Sequence, residues 1–184
     1  MFFAYYNRLN PAQQRVYRAS DRIGTIKLPE TNFDSLLEVL RISLNREQTK
    51  EVESVCEQLL DRLTAALNVA AVRVKVHAAR PQGQWGELHG LYTVAEGRNG
   101  AQIEVWMRTA RRRKIVAFRT FLRTLMHEFC HHLDYELLKL PDSFHTEGFY
   151  QRESSLINQI APQNNADIGA NLSRNFAGQA TQGG

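Results

Sequence analysis

One amphipathic pattern in the second half of the chain constrains its fold more than any other feature. From Ile115 to Leu137, large apolar residues recur at helical spacing, and Pro141 follows them. A helix turns about 100° per residue, so this spacing places the apolar side chains on one face that packs against a core. Because proline ends helices, the pattern predicts one long helix over residues 115–139. The segment 127–131, His-Glu-Phe-Cys-His, lies inside that helix.

The two histidines of this segment predict a metal site. His127 and His131 are four residues apart, so a helix projects both imidazoles from the same side, where they can bind one zinc ion at about 2.0–2.1 Å. Zinc lowers the pKa of a coordinated water to roughly 7, and Glu128 is placed to take the proton as a general base. The alternative is a pair of helical histidines that only bond to neighbouring residues.

A third protein ligand is expected, because a catalytic zinc ion usually has three and keeps one position open. The acidic and histidine residues that follow the motif supply the candidates, which are Asp134, Asp142, His145, Glu147 and Glu153. His145 follows Pro141 by four residues, where the chain can reverse over the metal. Glu153, on the next helix, is the alternative third ligand. Asp134 is better placed to accept a hydrogen bond from a ligand imidazole than to reach the metal.

Two further residues of the motif region are expected to point away from the metal. His132 and Cys130 each lie one residue from His131, which turns them about 100° around the helix. We therefore predict that neither is a ligand.

Hydrolysis also needs a donor for the developing oxyanion. The chain offers three candidates near the motif, namely Tyr135, Tyr150 and Arg152. The sequence does not choose among them.

The first third of the chain reads as helical. Asn10 followed by Pro11 combines an N-cap with proline at the first helical position, which predicts a helix over 11–19. Asn45 precedes an apolar stripe that predicts a longer helix over 46–67. A shorter stripe between the two predicts another helix.

In the middle of the chain, the spacing of apolar residues changes from helical to alternating. Valines alternate with polar residues over 72–76, and residues 88–95 and 103–107 are two further apolar runs of strand length. Gly97 to Gly100 has the composition of a hairpin turn, so the strands on either side can pair antiparallel. Residues 147–160 return to helical spacing and predict a closing helix.

These elements predict an α+β fold, in which a small, mostly antiparallel sheet of about three strands packs on the long metal-binding helix, with additional N-terminal helices. Residues 1–160 are expected to form one domain. Residues 161–184 are rich in Asn, Ala, Gln and Gly, which predicts a weakly ordered tail.

The composition bears on the location and the partners of this protein. There are only two cysteines, no apolar run long enough to span a bilayer and no signal-peptide pattern at the N-terminus. We therefore expect a cytoplasmic protein with reduced thiols and no membrane contact. The net charge is +4, and basic residues cluster over 108–114. This run is either a solvated loop and helix start or a surface for nucleic acid or an acidic partner.

The motif region resembles a known group of proteins. The segment 127–131, the helix end and the segment 145–149, His-Thr-Glu-Gly-Phe, are similar to the SprT-like and related small bacterial zincins. In those proteins a third histidine opens a segment of the form His-Gly-x-x-Phe or His-Gly-x-x-Trp. Here Thr146 follows the histidine and the glycine stands at 148. The similarity covers residues 114–160.

The resemblance implies a zincin-like fold and a zinc metallopeptidase that acts on peptides or proteins. It implies His127, His131 and His145 as ligands of one zinc ion and Glu128 as the catalytic base. By analogy with zincins, the strand 103–107 is the candidate edge that pairs with an extended substrate. The alternative for this strand is an ordinary half-buried strand of the sheet. The alternative is a non-catalytic protein on the same scaffold, whose zinc is structural or which binds a partner or nucleic acid.

Overall fold

A computed structural model describes residues 3–80, 89–110 and 113–162, so the predicted tail from residue 163 onward lies outside the described residues. Over these residues the fold is α+β, with five α-helices and three strands. The elements in chain order are a short 3-10 helix (Ala4–Arg8), α1 (Pro11–Asp21), α2 (Asp34–Asn45), α3 (Thr49–Leu67), β1 (Arg73–His77), β2 (Gly90–Thr93), β3 (Gln102–Trp106), α4 (Phe118–Glu136) and α5 (Glu147–Ile160).

The start of α1 follows the sequence signals. The Asn10 side chain accepts from the Gln13 backbone amide, the Gln13 side chain accepts from the Asn10 amide, and Pro11 opens the helix. These bonds satisfy amides that have no partner within a helix, which is why the chain turns into α1 here.

Two helix boundaries differ from expectation. Asn45 is the last residue of α2 rather than the cap of the next helix, so α3 begins at Thr49 instead of residue 46. Helix α4, which carries the predicted metal ligands, is shorter than predicted at both ends. Ile115 forms a β-bridge with Arg108 before the helix, and Lys139 adopts a left-handed conformation that ends the helical path ahead of Pro141.

The sheet corrects the predicted topology. Its strand order is β1-β3-β2, and while β2 and β3 form the expected antiparallel hairpin, β1 and β3 are parallel. The sheet is therefore mixed, not mostly antiparallel. Strand β3, which supplies buried Ile103 and Val105, is central, and β2 is an edge. Of the two interpretations of the segment 103–107, the substrate-binding edge is wrong, because both of its sides are already paired. The alternative, an ordinary half-buried strand, agrees with its alternating burial.

The helices cover one face of the sheet. Val74 and Val76 of β1 and Ile103 and Val105 of β3 point into the core, where α3 packs on β1 and α4 packs on β2 and β3. Helix α5 packs on α4, and α1 packs on α5. This arrangement buries the apolar face of α4 between the sheet and α5. None of the described helices is long and apolar enough to cross a bilayer.

Candidate metal centre

The structure brings together the three histidines that the sequence singled out. His127 and His131 project from one side of α4, and His145 lies in the loop before α5. The Nε2 atom of His145 lies 2.9 Å from Nε2 of His127 and 3.1 Å from Nε2 of His131. Among the described residues, these three form the one group of histidine, cysteine and acidic side chains close enough to share a metal ion.

The other ring nitrogens explain which atoms face the centre. Nδ1 of His127 lies 2.9 Å from the Glu153 carboxylate, which accepts its proton. Nδ1 of His131 lies 2.7 Å from the Ser143 hydroxyl. That hydroxyl donates its own proton to Asp134, so it accepts from the histidine. Both imidazoles therefore carry the proton on Nδ1 and point an Nε2 lone pair at the same place.

The number and the spacing of these Nε2 lone pairs show whether a metal ion fits between the three rings. His145 can donate at most one proton through Nε2, so hydrogen bonds within the trio cannot satisfy both of the other rings. Tetrahedral zinc with bonds of about 2.0–2.1 Å separates its ligand nitrogens by about 3.3 Å, close to the spacing observed. Burial, with the neighbouring imidazoles, lowers the pKa of His131 to about 3 and keeps it neutral, as a ligand must be. The residues fit a three-histidine zinc site.

Glu128 lies beside this centre in an enclosed position. Its side chain is 6% exposed and lines the same cleft as the three histidines. Burial raises the pKa of Glu128 to about 7, while His127 and the backbone amide of Tyr92 act in the opposite direction. A carboxyl group with a pKa near neutrality can both accept and return a proton at physiological pH.

Gly90 on β2 makes room for this carboxylate. A Cβ atom at position 90 would lie 2.4 Å from Oε1 of Glu128, which is closer than atoms approach one another. We expect Gly90→Ala to displace the carboxylate and to lower any hydrolytic activity by about 10–100-fold, while the metal stays bound. Steady-state rates measured beside Gly100→Ala, whose added methyl meets nothing within 4 Å, test this. Equal rates for the two variants would show that the position of Glu128 does not matter.

The centre opens into a cleft of about 930 Å³. One wall is the edge strand β2 with its flanking residues, 89–94, and another is the side of α4 that carries His127 and His131. Within the described residues, the N-terminal helices α1, α2 and α3 line none of it. Leu91 and Val94 are exposed on the wall, which gives the cleft an apolar side next to a polar centre.

The remaining predicted site residues lie either behind the three histidines, in the cleft or in the core. Glu153 bonds to Nδ1 of His127, the ring nitrogen that faces away from the centre, so it supports a predicted ligand. The third member of the group is His145 rather than Glu153. Asp134 accepts a hydrogen bond from the Ser143 hydroxyl, and that hydroxyl, not Asp134, bonds to His131. Tyr135 and Tyr150 line the cleft. Arg152 does not, because it is fully buried on the far side of Asp134, and it was wrongly predicted as an oxyanion donor.

His132 and Cys130 lie apart from the centre, as their helical angles predict. His132 is buried and donates through Nε2 to the Ala70 carbonyl, so its Nδ1 accepts from the Tyr92 hydroxyl. Cys130 is a buried thiol. In the basic run, Arg108 forms an ion pair with Glu47, whereas Arg111 and Arg112 lie outside the described residues.

Sequence reasoning missed several residues that shape the site. Ser143 was not singled out, although it bonds to both His131 and Asp134. Thr146 caps α5 by accepting from the Phe149 amide, and a threonine just before a helical stripe is a signal that could have revealed it. Gly148 packs so closely on the Asp21 backbone that a Cβ atom there would lie 2.5 Å from its carbonyl oxygen. No local pattern predicts that contact.

We compared the chain with known proteins in three ways. No protein-family model, no curated protein and no solved structure matches it. The site is therefore interpreted from its own geometry.

Proposed function

We propose that this protein is a zincin-like zinc metallopeptidase that hydrolyses peptide bonds in a peptide or protein substrate. The observation that carries the proposal is the convergence of three imidazole Nε2 atoms beside a buried glutamate at the end of an open cleft. A site with three protein ligands leaves one position for water, which is the arrangement of catalytic rather than structural zinc. His127, His131 and His145 would hold the ion.

Zinc, when bound, supplies Lewis acidity that acidifies a water molecule and polarises the substrate carbonyl. Glu128 takes the proton from the attacking water and returns it to the leaving amine, a role that its enclosed position and raised pKa support. Glu153 and Ser143 hold His127 and His131 through their Nδ1 protons. Tyr135 and Tyr150 are the side chains from which an oxyanion donor would come.

Strand β2 is the proposed substrate-binding edge. It lines the cleft, and β3 pairs with only one of its sides. The Tyr92 amide interacts with Glu128, so the side of β2 with which no described strand pairs faces the proposed catalytic carboxylate. An extended peptide added along this side would place a scissile bond beside the metal centre by ordinary strand pairing.

Zinc binding gives the first test of the proposal. We expect the metal-free protein to bind one zinc ion and to gain about 2.7 kcal/mol of unfolding free energy when free zinc is 100 times its Kd. The His145→Ala variant should lose most of this gain because one of three ligands is missing. The His77→Ala variant should keep it, since His77 pairs with Glu104 on the sheet. Thermal unfolding with and without zinc measures both effects.

Hydrolysis of an unstructured protein such as casein, and of a mixed peptide library, tests the activity itself. We expect cleavage by the zinc-loaded protein and none after chelation. Cleavage sites read by mass spectrometry would then define the sequence preference. A protein that binds zinc tightly through these histidines yet cleaves neither substrate would instead support a non-catalytic zinc protein.

A further inference from the structure

A buried side chain behind the metal centre connects two distant parts of the chain. Arg152 on α5 is completely buried. One of its terminal nitrogens donates to the carbonyl oxygens of Ser20, at 2.7 Å, and Ile23. The other donates to the Ser20 hydroxyl at 2.9 Å and to Oδ1 of Asp134 at 2.8 Å. The guanidinium thus joins the end of α1 to the metal-binding helix.

The path continues to a metal ligand. The second carboxylate oxygen of Asp134, Oδ2, accepts the Ser143 proton at 2.7 Å. Ser143 in turn faces Nδ1 of His131 at 2.7 Å. Since the arginine holds one oxygen of Asp134, the other is aimed at the serine, and the serine hydroxyl must then accept from His131. Every bond in this series has a defined direction.

We infer that Arg152 is a positioning residue of the metal centre, which acts through Asp134 and Ser143 to set the tautomer and the ring orientation of His131. The inference rests on the proposed function, because it concerns the ligands of the proposed zinc ion. Partners of this kind, bonded behind a ligand imidazole, typically change metal affinity by about 10–100-fold when they are removed.

The end of α1 also holds the loop of the third ligand. The Asp21 carboxylate accepts from the Gly148 amide at 3.1 Å, and the Ser20 hydroxyl lies 3.4 Å from that of Thr146. Residues 20–23 therefore contact the support of His131 and the segment that follows His145. A single structural element, far from the motif in sequence, sets two of the three ligands relative to each other.

The competing explanation is that Arg152 and Asp134 are only a buried ion pair that stabilises the fold. Under that explanation, loosening the hold of Arg152 on Asp134 would leave the tautomer of His131 unchanged. The Ser143→Ala variant tests the last bond of the series, because it removes one hydroxyl and leaves the ion pair intact. The Ser155→Ala variant is the matched control, since it deletes a serine hydroxyl on α5 that bonds only to Gln159 among the described residues.

The experiment has two readouts. The first is the tautomer of His131, from the ¹⁵N shifts of its ring in the metal-free protein. The second is the zinc Kd, from competition with a chelating dye. We expect wild type and Ser155→Ala to hold His131 with its proton on Nδ1. We expect Ser143→Ala to populate both tautomers and to bind zinc about 10–100-fold more weakly.

Arg152→Lys extends the test to the residue itself. A lysine amine can reach Asp134 but lacks the planar fork that engages the carboxylate and the α1 carbonyls together. We expect this variant to weaken zinc binding and to mix the His131 tautomers, in the same direction as Ser143→Ala. If it does not fold, Asp134→Asn tests the same series: Arg152 can only donate, so it would hold the amide oxygen, the amide NH2 would donate to Ser143, and the serine would donate to Nδ1 of His131 and move the proton of that ring to Nε2. An unchanged tautomer in that variant would overturn the inference.

Each outcome separates the inference from the proposed function. If Ser143→Ala keeps the wild-type tautomer and zinc Kd, Arg152 does not position His131 and the inference is wrong, whatever the activity. If the wild type binds no zinc, the proposed function fails. The tautomer in the metal-free protein then decides by itself whether this series of bonds sets His131.

Discussion

Glu128→Gln is expected to lower peptide hydrolysis by roughly 10²–10⁴-fold while zinc binding stays within a few-fold of wild type. The glutamine has nearly the same shape, so it fits the space opposite Gly90, but it cannot accept a proton from the attacking water. Glu128 is not one of the three groups that converge on the metal position, which is why the ion should remain bound. Initial rates on a cleavable peptide and the zinc Kd, measured on the same preparations, test both parts.

The matched control for this variant is Glu136→Gln. Glu136 lies on the same helix, outside the residues that line the cleft, and faces Lys139 at 3.7 Å. The same chemical change there should leave both rate and zinc affinity unchanged. If Glu128→Gln cleaves as fast as Glu136→Gln, the proposed catalytic base is wrong. If it fails to bind zinc, the loss of activity says nothing about proton transfer and the role of Glu128 in the metal site must be revised.

Arg152→Met should destabilise the fold more than any of the other substitutions. The arginine and Asp134 are both fully buried, at 2.8 Å from each other. Removing the cation leaves a carboxylate in the core without its partner, and breaking a buried pair in this way typically costs about 3–5 kcal/mol. In a chain of this size each kcal/mol lowers Tm by about 2–4 °C. Denaturant unfolding and calorimetry measure the loss.

A double variant distinguishes two causes of destabilisation, an unpaired buried charge and lost packing. Asp134→Asn combined with Arg152→Met neutralises the carboxylate, so it should be more stable than Arg152→Met alone. The surface control is Arg41→Met, which breaks an exposed pair with Glu38 and should leave Tm unchanged, because such pairs are screened by solvent. A double variant no more stable than Arg152→Met would show that lost packing, not the buried charge, causes the destabilisation.

Much of the candidate site could be predicted from local spacing. The spacing of four residues between His127 and His131 sets them on one helix face whatever surrounds the helix, since it depends only on helical geometry. His145 follows from a helix end and a short loop, and α5 has the predicted bounds. These features depend on residues near one another in the chain, and a sequence displays such relations directly.

The arrangement of the strands could not be predicted in the same way. The hairpin of β2 and β3 is local and was expected. Strand β1, however, joins it by a crossover that places β3 in the centre and leaves β2 at the edge. Alternating apolar residues show that a strand has a buried face but not which neighbour it pairs with. The segment 103–107 was therefore wrongly predicted as an edge strand.

The sequence by itself determined the helices, the two histidines of α4 and the glutamate between them, because helical periodicity is a property of neighbouring residues. Only the tertiary structure decided which strand faces the cleft and which nitrogens of the three histidines converge on one point. It also decided that Arg152 lies in the buried core rather than in the cleft. Ser20 and Arg152 are 132 residues apart, and no spacing rule relates side chains at that distance. Their contact exists because α1 packs on α5, and packing of separate elements is decided by the whole core.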